Sequence, residues 1–446
     1  MIAILFATYI SVSTPRVILE HVEVIDGTGG APVADRNVVI ENGKIAAITA
    51  GADVAPAAGT TVLDLRGDSV LPGIVGMHDH LYFFALPNLA SDRSFEHPAI
   101  TQEMIFSGPR LYLANGVTTM RTTGTYDPYA ELKLKRDIDS GAVPGPHLDV
   151  TGPYLNMINP DEARQTVDFW ADRGATSFKA YKYIAREALR AATDQAHKRG
   201  LKITGHLCSV TYEEAIDAGI DNLEHGFFVN TANDPDKKPD TCTSSEGDYT
   251  LEHMSDADAD RLIARLVQHH VAITSTLVST SASAGHEPPP GPAALAAMSP
   301  AERDAYLYWR SAPPRPNNKA PLLVKRDMEL ERKFVSAGGL LIAGPDINNS
   351  SVPGFSDHRE IELLVEAGFA PVEAVRIATL NGATFLGRQD QIGSIAAGKN
   401  ADLFVVKGDP ASHINDIDNV QIVFKDGVGY DPQKLLDSVK GHYGEY

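Results

Sequence analysis

The sequence predicts an α/β protein: a (β/α)8 barrel of the TIM type with a small β-sandwich domain built from both chain termini. Three observations lead there. Short β-rich runs lie at the two ends of the chain, apolar strands alternate with helical stretches between them, and residues with metal-ligand chemistry sit where several of those strands stop. The chain has 446 residues, more than the roughly 250–300 that one hydrophobic core usually organises. The expected division is residues 1–70 for the first part of the sandwich, 71–388 for the barrel, and 389–446 for the rest of the sandwich and a tail.

Val17-Ile18-Leu19, Val22 to Ile25, Asn37 to Ile40, Ile45 to Ile48 and Val62 to Leu65 are short β-rich runs. Asp26-Gly27 and Asn42-Gly43 separate some of them, and such pairs signal hairpins because they accept positive φ. The pattern returns at Asp402 to Val406 and Val420 to Phe424. Chain termini often lie close together, so one small domain can draw on both ends.

Between them the expected strands are Val70–Met77, Val117–Thr122, His147–Gly152, Thr176–Tyr181, Leu201–His206, Ile220–His225, Val271–Leu277 and Leu340–Asp346. Helical stretches such as Asp161–Arg173, Arg186–Arg199 and Ala257–His269 intervene, with Gly174 and Gly200 where helix-ending glycines belong. The length from His78 to Asp346 suits a closed parallel barrel of about 250 residues. Phe227–Met254 and the proline-rich Ser281–Val324 exceed a minimal barrel. Both follow late strands, so they are expected over the mouth, as lids or as surface insertions.

Composition narrows the function. Hydrophobic residues at 43% and charged residues at 22% are those of an ordinary globular chain. The net charge of −19 speaks against nucleic acid or an anionic membrane as partner. No segment reaches the ~18 apolar residues of a membrane span. The expected partner is a small-molecule substrate, and self-association into a homo-oligomer stays open. Cys208 and Cys242 make no disulfide framework and leave the redox compartment open. Met1 to Ile10 is apolar but lacks a basic start and a cleavage site. The expectation is therefore cytoplasmic, or periplasmic or secreted if that segment is a truncated signal peptide.

The sharpest local signal is Leu71 to His80, an apolar strand ending in His78-Asp79-His80. In extended backbone residues i and i+2 point the same way, so both imidazoles face one point. Converging neutral imidazoles suit zinc or a similar ion. His206, His225 and Asp346 each end a later apolar strand, on the face where such barrels keep their chemistry. Lys179 ends the fourth strand. A lysine pointing into a barrel is costly unless paired or modified, and a cation beside two metals is repelled. As a carbamate it is an anion able to bridge them. Lys182 has the opposite parity and suits an exposed, snorkelling role.

This set resembles the amidohydrolase superfamily, in its imidazolonepropionase-like and prolidase-like branch. The resemblance spans Leu71 to His80, Lys179, His206, Glu224-His225-Gly226, Asp346, Ala378 to Ala383, and Gly393 through Gly398 to Leu403. It implies a barrel flanked by a terminal β-sandwich. It also implies one metal on His78, His80, Lys179 and Asp346, and another on Lys179, His206 and His225. One departure is Gly344-Pro345-Asp346, where the family commonly reads Gly-Thr-Asp. Proline lacks an N–H, so the local loop is expected to differ.

The expected cofactors are two divalent metal ions, zinc first because the site is imidazole-rich, with manganese or cobalt also able to serve, and a carbamate on Lys179. Two metals acidify a bridging water and polarise a carbonyl. Asp346 then takes the proton and delivers it to the leaving nitrogen, with no serine or cysteine nucleophile. Tyr82, Phe83 and Phe84 are candidates for a pocket wall or for packing under a loop. Arg121 is a candidate for a substrate carboxylate or for a structural ion pair. Tyr181, on the side of Lys179 by parity, and His358 are further candidate substrate contacts. The expected activity is metal-dependent cleavage of an amide C–N bond in a small substrate such as an N-acyl amino acid or dipeptide. Lactone, ester or phosphoester hydrolysis at the same binuclear site is the alternative. A non-catalytic scaffold of this fold is a second alternative, although scaffolds tend to lose ligands and none is missing.

Overall fold

Strands from both ends of the chain share one nine-stranded sheet. It runs in the order Ser11–Val12, Val428–Tyr430, Val420–Lys425, Leu403–Lys407, Asp68–Pro72, Arg16–Val24, Val33–Glu41 and Lys44–Ala50, with Thr60–Asp64 pairing beside Arg16–Val24. This computed structural model describes residues 11–12, 15–55, 57–85, 100–285, 287–311, 318–348 and 351–445. The apolar N-terminal decapeptide lies outside them. Alternation builds the sheet's own core: Val17, Leu19, Val22, Val24, Val38, Ile40, Leu403, Val405, Ile422 and Phe424 pack together. A register shift between Leu19 and Val22, at His21 with φ 56°, lets the second half of that strand return to the same face. Asn42 and Gly43 turn with φ of 51° and 77°, as a tight hairpin requires. Asp26-Gly27 instead opens a longer loop, in which the Asp26 carboxylate accepts from Thr28 N–H at 2.8 Å.

The middle of the chain forms parallel strands with helices between them. We label them β1 (Ile74–Asp79), β2 (Val117–Thr122), β3 (His147–Val150), β4 (Ser177–Lys182), β5 (Lys202–Leu207), β6 (Asn222–Glu224), β7 (Ala272–Ser275) and β8 (Leu341–Ala343). β3, β2 and β1 form one sheet, and β4 through β8 another, in chain order. Thr151 bridges Ser177 between β3 and β4 in parallel sense. Asp346 N–H donates to the His78 carbonyl at 2.9 Å, joining the end of β8 to β1. β1 and β2 are buried along their whole length, as strands covered on both faces must be. The covering helices show the expected local chemistry. In Pro160–Ala171 a capping box links Asn159 and Glu162. Arg186–Lys198 buries an alanine-rich stripe with Leu189.

The first expected strand divides in two. Asp68–Pro72 pairs with Leu403–Lys407 in the terminal sheet, and only Ile74–Asp79 is β1. Between them Gly73 N–H donates to the Asp402 carbonyl and Ile74 N–H to that of Gly116, each at 2.9 Å, so the chain changes sheets within one residue. A continuous apolar run carries no mark of such a change. The two long insertions hold helices of their own. The first contains Asp248–His253 and is tied to the end of β5 by a Cys208–Cys242 disulfide, a pairing the sequence reading did not make. The second contains Pro292–Ala297 and Pro300–Arg310. It packs Ala294, Ala297, Met298 and Tyr306 against Phe83, Met104 and the tail residues Val439 and Tyr443. Among the described residues no helix is long and apolar enough to cross a membrane.

Candidate metal centre

The C-terminal ends of β1, β4, β5, β6 and β8 bring the expected ligands together. His78 and His80 are buried, with ring centroids 5.3 Å apart. Asp346 Oδ1 lies 3.1 Å from His80 Nε2 and 3.5 Å from His78 Nε2. Ligand atoms of these three residues lie within 4.8 Å of one another. The His225 ring sits 4.7 Å from that of His78 and 4.4 Å from that of His206. Its Nδ1 is 3.8 Å from Asp346 Oδ2. Lys179 Nζ lies 3.1 Å from His78 Nε2 and donates to the Thr123 carbonyl at 3.2 Å. His225 and Asp346 hold left-handed φ of 66° and 52°. For side chains other than glycine that costs about 1–3 kcal/mol each and concentrates at functional sites.

A network beneath the centre fixes the imidazoles. A carboxylate only accepts, so the Glu224 Oε2 contact at 2.7 Å places the proton on His78 Nδ1 and leaves Nε2 with a lone pair turned to the centre. Glu224 Oε1 in turn accepts from Arg121 Nη2 at 2.8 Å and from the Thr204 hydroxyl. Arg121 also donates to Asn222 Oδ1 and to the Met77 carbonyl, each at 2.9 Å. On the other side Thr276 Oγ1 contacts His225 Nδ1 at 2.9 Å. His225 Nε2 is buried with no hydrogen-bond partner. A buried lone pair without a donor is costly, and a bound cation would satisfy it.

Electrostatics keep these groups in ligand form. Burial pulls His80 down to about 4 and His225 to about 3, and it lowers His78 and, further, His206. All four rings are therefore neutral near pH 7, as metal ligation requires. Burial also draws the Lys179 amine down to about 8, against the pull of Glu224 and Asp346. A neutral amine is the form that captures carbon dioxide. For Asp346 burial acts upward, but the surrounding imidazoles, with the hydrogen bond from His80 among their contributions, hold the carboxyl well below its usual range.

The remaining candidates divide. Lys182 is turned away from the centre and pairs with Glu246 at 2.6 Å. The Arg121 guanidinium is buried in its pair with Glu224. His358 is buried with both ring nitrogens engaged, Nδ1 with Asp418 at 3.0 Å and Nε2 with the Asn115 carbonyl at 2.7 Å. Phe83 packs in the apolar cluster with the C-terminal tail, and the side chain of Phe84 lies outside the described residues. Tyr82 and Tyr181 border the centre, at 4.6 Å from the His80 ring and 5.1 Å from the His206 ring. Tyr126 and Tyr154 complete the border between them and escaped the sequence reading. So did the support from Thr276. The support from Glu224 was findable: Asn222 and Glu224 share a strand face, and a buried acid there needs a partner such as Arg121. Pro345 does not disturb the site. The hydrogen bonds at this point use Gly344 N–H, to the Ser275 carbonyl at 3.1 Å, and Asp346 N–H, leaving residue 345 without a bond to make. Gly344 itself is required, since a Cβ there would stand 2.1 Å from the His78 nitrogen.

His147, Asp402 and Asp426 form a second cluster, at the start of β3 and beside the terminal sheet. Lys425 and Arg388 act electrostatically on Asp426, so this group is a mixed-charge network.

Comparison with known proteins gives the family and the fold. A profile of the amidohydrolase family matches residues 69–429. The imidazolonepropionase of Micrococcus luteus is 25% identical over 402 residues, covering 86% of this chain and 90% of that protein. Among solved structures, a Xaa-Pro dipeptidase with bound methionine in its active site superimposes with a TM-score of 0.69 at 20% identity, covering 93% of this chain and all of the other. Molinate hydrolase gives 0.69 at 17% identity, over 95% and 96% of the two chains.

Proposed function

We propose, for a chain that belongs to the amidohydrolase family, a binuclear metallohydrolase that cleaves the amide bond of a small N-acylated substrate such as an N-acyl amino acid or dipeptide. The coarser part stands by itself: this is a hydrolase of carbon–nitrogen bonds acting on a small molecule. The observation that carries the finer reading is the convergence of His78, His80 and Asp346 within 4.8 Å, with Lys179 Nζ 3.1 Å from His78 Nε2.

The donor set fits two divalent ions, with zinc first among them. His78, His80, Lys179 as its carbamate and Asp346 would hold one, and Lys179, His206 and His225 the other. When bound, the metals supply Lewis acidity toward water and the scissile carbonyl. The chain supplies the rest. Asp346, ionised and a quarter exposed at 24% of its side chain, accepts the proton of the attacking water and returns it to the leaving nitrogen. Glu224 and Thr276 hold the rings of His78 and His225 in one orientation. Tyr82 and Tyr181 border the space where substrate enters. Arg121 and His358, each engaged elsewhere, support the structure better than they support a substrate contact.

The same reading includes a closed barrel running from β1 at Ile74 to residue 388, supported by the link from Asp346 to His78 and the bridge from Thr151 to Ser177. The chain up to Pro72, together with residues 389–446, then makes one β-sandwich around the apolar cluster of the terminal sheet. The Cys208–Cys242 disulfide supports an oxidising compartment, periplasmic or extracellular, over the cytoplasm.

Elemental analysis of gently purified protein tests the metal assignment. Near two equivalents of transition metal per chain are expected. Less than about half an equivalent with activity intact would end the binuclear reading, since structural and catalytic sites of this kind hold their ion with three or four ligands each. Assay against N-acyl amino acids, dipeptides and lactones separates the amide reaction from the alternatives. Turnover confined to lactones or esters would overturn it.

A further inference from the structure

We propose that the mouth above the metal centre is a binding site for an aryl group of the substrate, formed by the ring faces of Tyr82, Tyr126, Tyr154 and Tyr181. The inference deepens the amide-hydrolase reading by naming the substrate class. Its binding component does not depend on which bond is cleaved.

The rings form an unbroken chain between two metal-ligand candidates. Centroids are 4.6 Å apart from His80 to Tyr82, 4.9 Å to Tyr126, 5.2 Å to Tyr154, 4.7 Å to Tyr181 and 5.1 Å to His206. These are the spacings at which aromatic rings attract through their quadrupoles. The residues come from the ends of β1, β2, β3 and β4 or the loops that follow, so the wall arcs around one side of the opening.

What the wall offers is ring surface. The hydroxyls of Tyr82 and Tyr154 bond each other at 2.6 Å, which occupies their polar ends together. Burial falls outward: Tyr82 is 8% exposed, Tyr154 and Tyr181 are half-buried, and Tyr126 is 52% exposed. The loops after β3 and β4 meet where Tyr183 N–H donates to Asn156 Oδ1 at 3.0 Å, and on them Met157 is 75% exposed and Tyr183 47%. Large exposed apolar groups gathered at the opening of a site mark binding.

The backbone makes room for this arrangement. Gly124 has φ +88°, and a Cβ there would lie 2.4 Å from the Tyr154 ring. The loop after β2 therefore admits that ring only because residue 124 lacks a side chain. Carboxylate recognition by Arg121, which lies beneath the centre, or by Lys182 is disfavoured. Arg121 and Lys182 are each committed to a glutamate, at 2.8 and 2.6 Å.

Kinetics with matched substrates test the proposal on the metal-loaded full-length enzyme. N-benzoylglycine is compared with N-acetylglycine, and glycine anilide with glycine methylamide, because the aryl group can lie on either side of the scissile bond. At least one pair should show kcat/KM favouring the aryl member by about tenfold or more, the scale of a few ring contacts. Tyr126→Ala should bring that ratio toward one, chiefly through KM, while Tyr126→Phe retains it. Tyr129→Ala removes an exposed ring that packs instead on Trp170, and it should leave the ratio unchanged. Ratios within twofold in both pairs, or a ratio unmoved by Tyr126→Ala, would overturn the proposal. A second measurement is independent of turnover. On the Asp346→Asn variant, saturation-transfer NMR should show benzamide bound and acetamide not, with the benzamide signal lost when Tyr126→Ala is added. Benzamide binding without amide turnover would refute the proposed reaction and leave the aryl site standing. Amide turnover without aryl preference or benzamide binding would do the reverse.

Discussion

The two halves of the proposed metal centre differ in how far the protein alone has assembled them. In the half made by His78, His80 and Asp346, oxygen and nitrogen atoms already stand 3.1–3.5 Å apart, and a buried chain from Arg121 through Glu224 holds one ring from behind. In the half made by His206 and His225, the two rings meet at 4.4 Å, His225 leans on a neutral hydroxyl, and the nearest acid is Asp346 at 3.8 Å. A rigid ion-paired scaffold preorganises the first half. In the proposed centre the second half would depend on an anion from elsewhere, and Lys179, whose Nζ lies 3.1 Å from His78 Nε2, would provide it as a carbamate.

The largest effect expected from that contrast is at Asp346, whose carboxylate stands 3.5 Å from His78 and 3.8 Å from His225. Asp346→Asn should lower kcat by about 10²-fold or more, because an amide cannot take the proton from the attacking water. The fold and much of the metal should remain, as circular dichroism and elemental analysis would register. Retention of more than about a tenth of kcat would move the general base elsewhere.

Lys179→Ala tests the dependence of the second half directly. Metal content and rate should both fall steeply, since loss of an anionic ligand leaves the mutual repulsion of the cations less compensated. Added acetate or propionate should enter the cavity and restore activity saturably, and only with metal present. Lys182→Ala, which removes a surface pair with Glu246, should do neither. Full activity in Lys179→Ala would place the bridge elsewhere or leave the site mononuclear.

Glu224→Gln bears on the preorganised half. It keeps the shape but weakens the hold on His78 and leaves Arg121 short of a charge partner. A loss of 10- to 100-fold in metal affinity or rate is expected for a group of this kind, measured by competition with a chromophoric chelator. Equal affinity in the wild type and the variant would show that the buried chain sets stability alone. Thr276→Val should produce the smallest change, under about tenfold, because a single neutral hydrogen bond contributes about 0.5–1.5 kcal/mol. An effect as large as that of Glu224→Gln would erase the asymmetry between the halves.

The same contrast explains what could be read in the sequence. His78 and His80 were legible because alternation in a strand is fixed at two residues. Lys179 was separable from Lys182 by the same parity. His206, His225 and Asp346 were legible because an apolar run that ends in a ligand residue is a local pattern. Tyr126 and Tyr154 were not, since they stand in loops beyond the strands, where no period relates position to direction. His358 misled because a polar residue soon after the last strand looks like a mouth residue, yet its helix carries it to Asp418 and the Asn115 carbonyl. The split at Gly73 was hidden because both halves of that run are apolar, and only their partners differ. Cys208 and Cys242 offered no pattern either: their meeting depends on the path of the intervening loop.

That meeting has a consequence for the unfolded chain. The bond joins positions 34 apart and encloses Glu224 and His225 in a covalent ring. Closing a ring of this size removes conformational entropy from the denatured ensemble worth about 4 kcal/mol at 25 °C in the chain-entropy description. The segment that carries a proposed metal ligand and the acid beside it is therefore confined before the strands around it assemble, and its search for register is shortened.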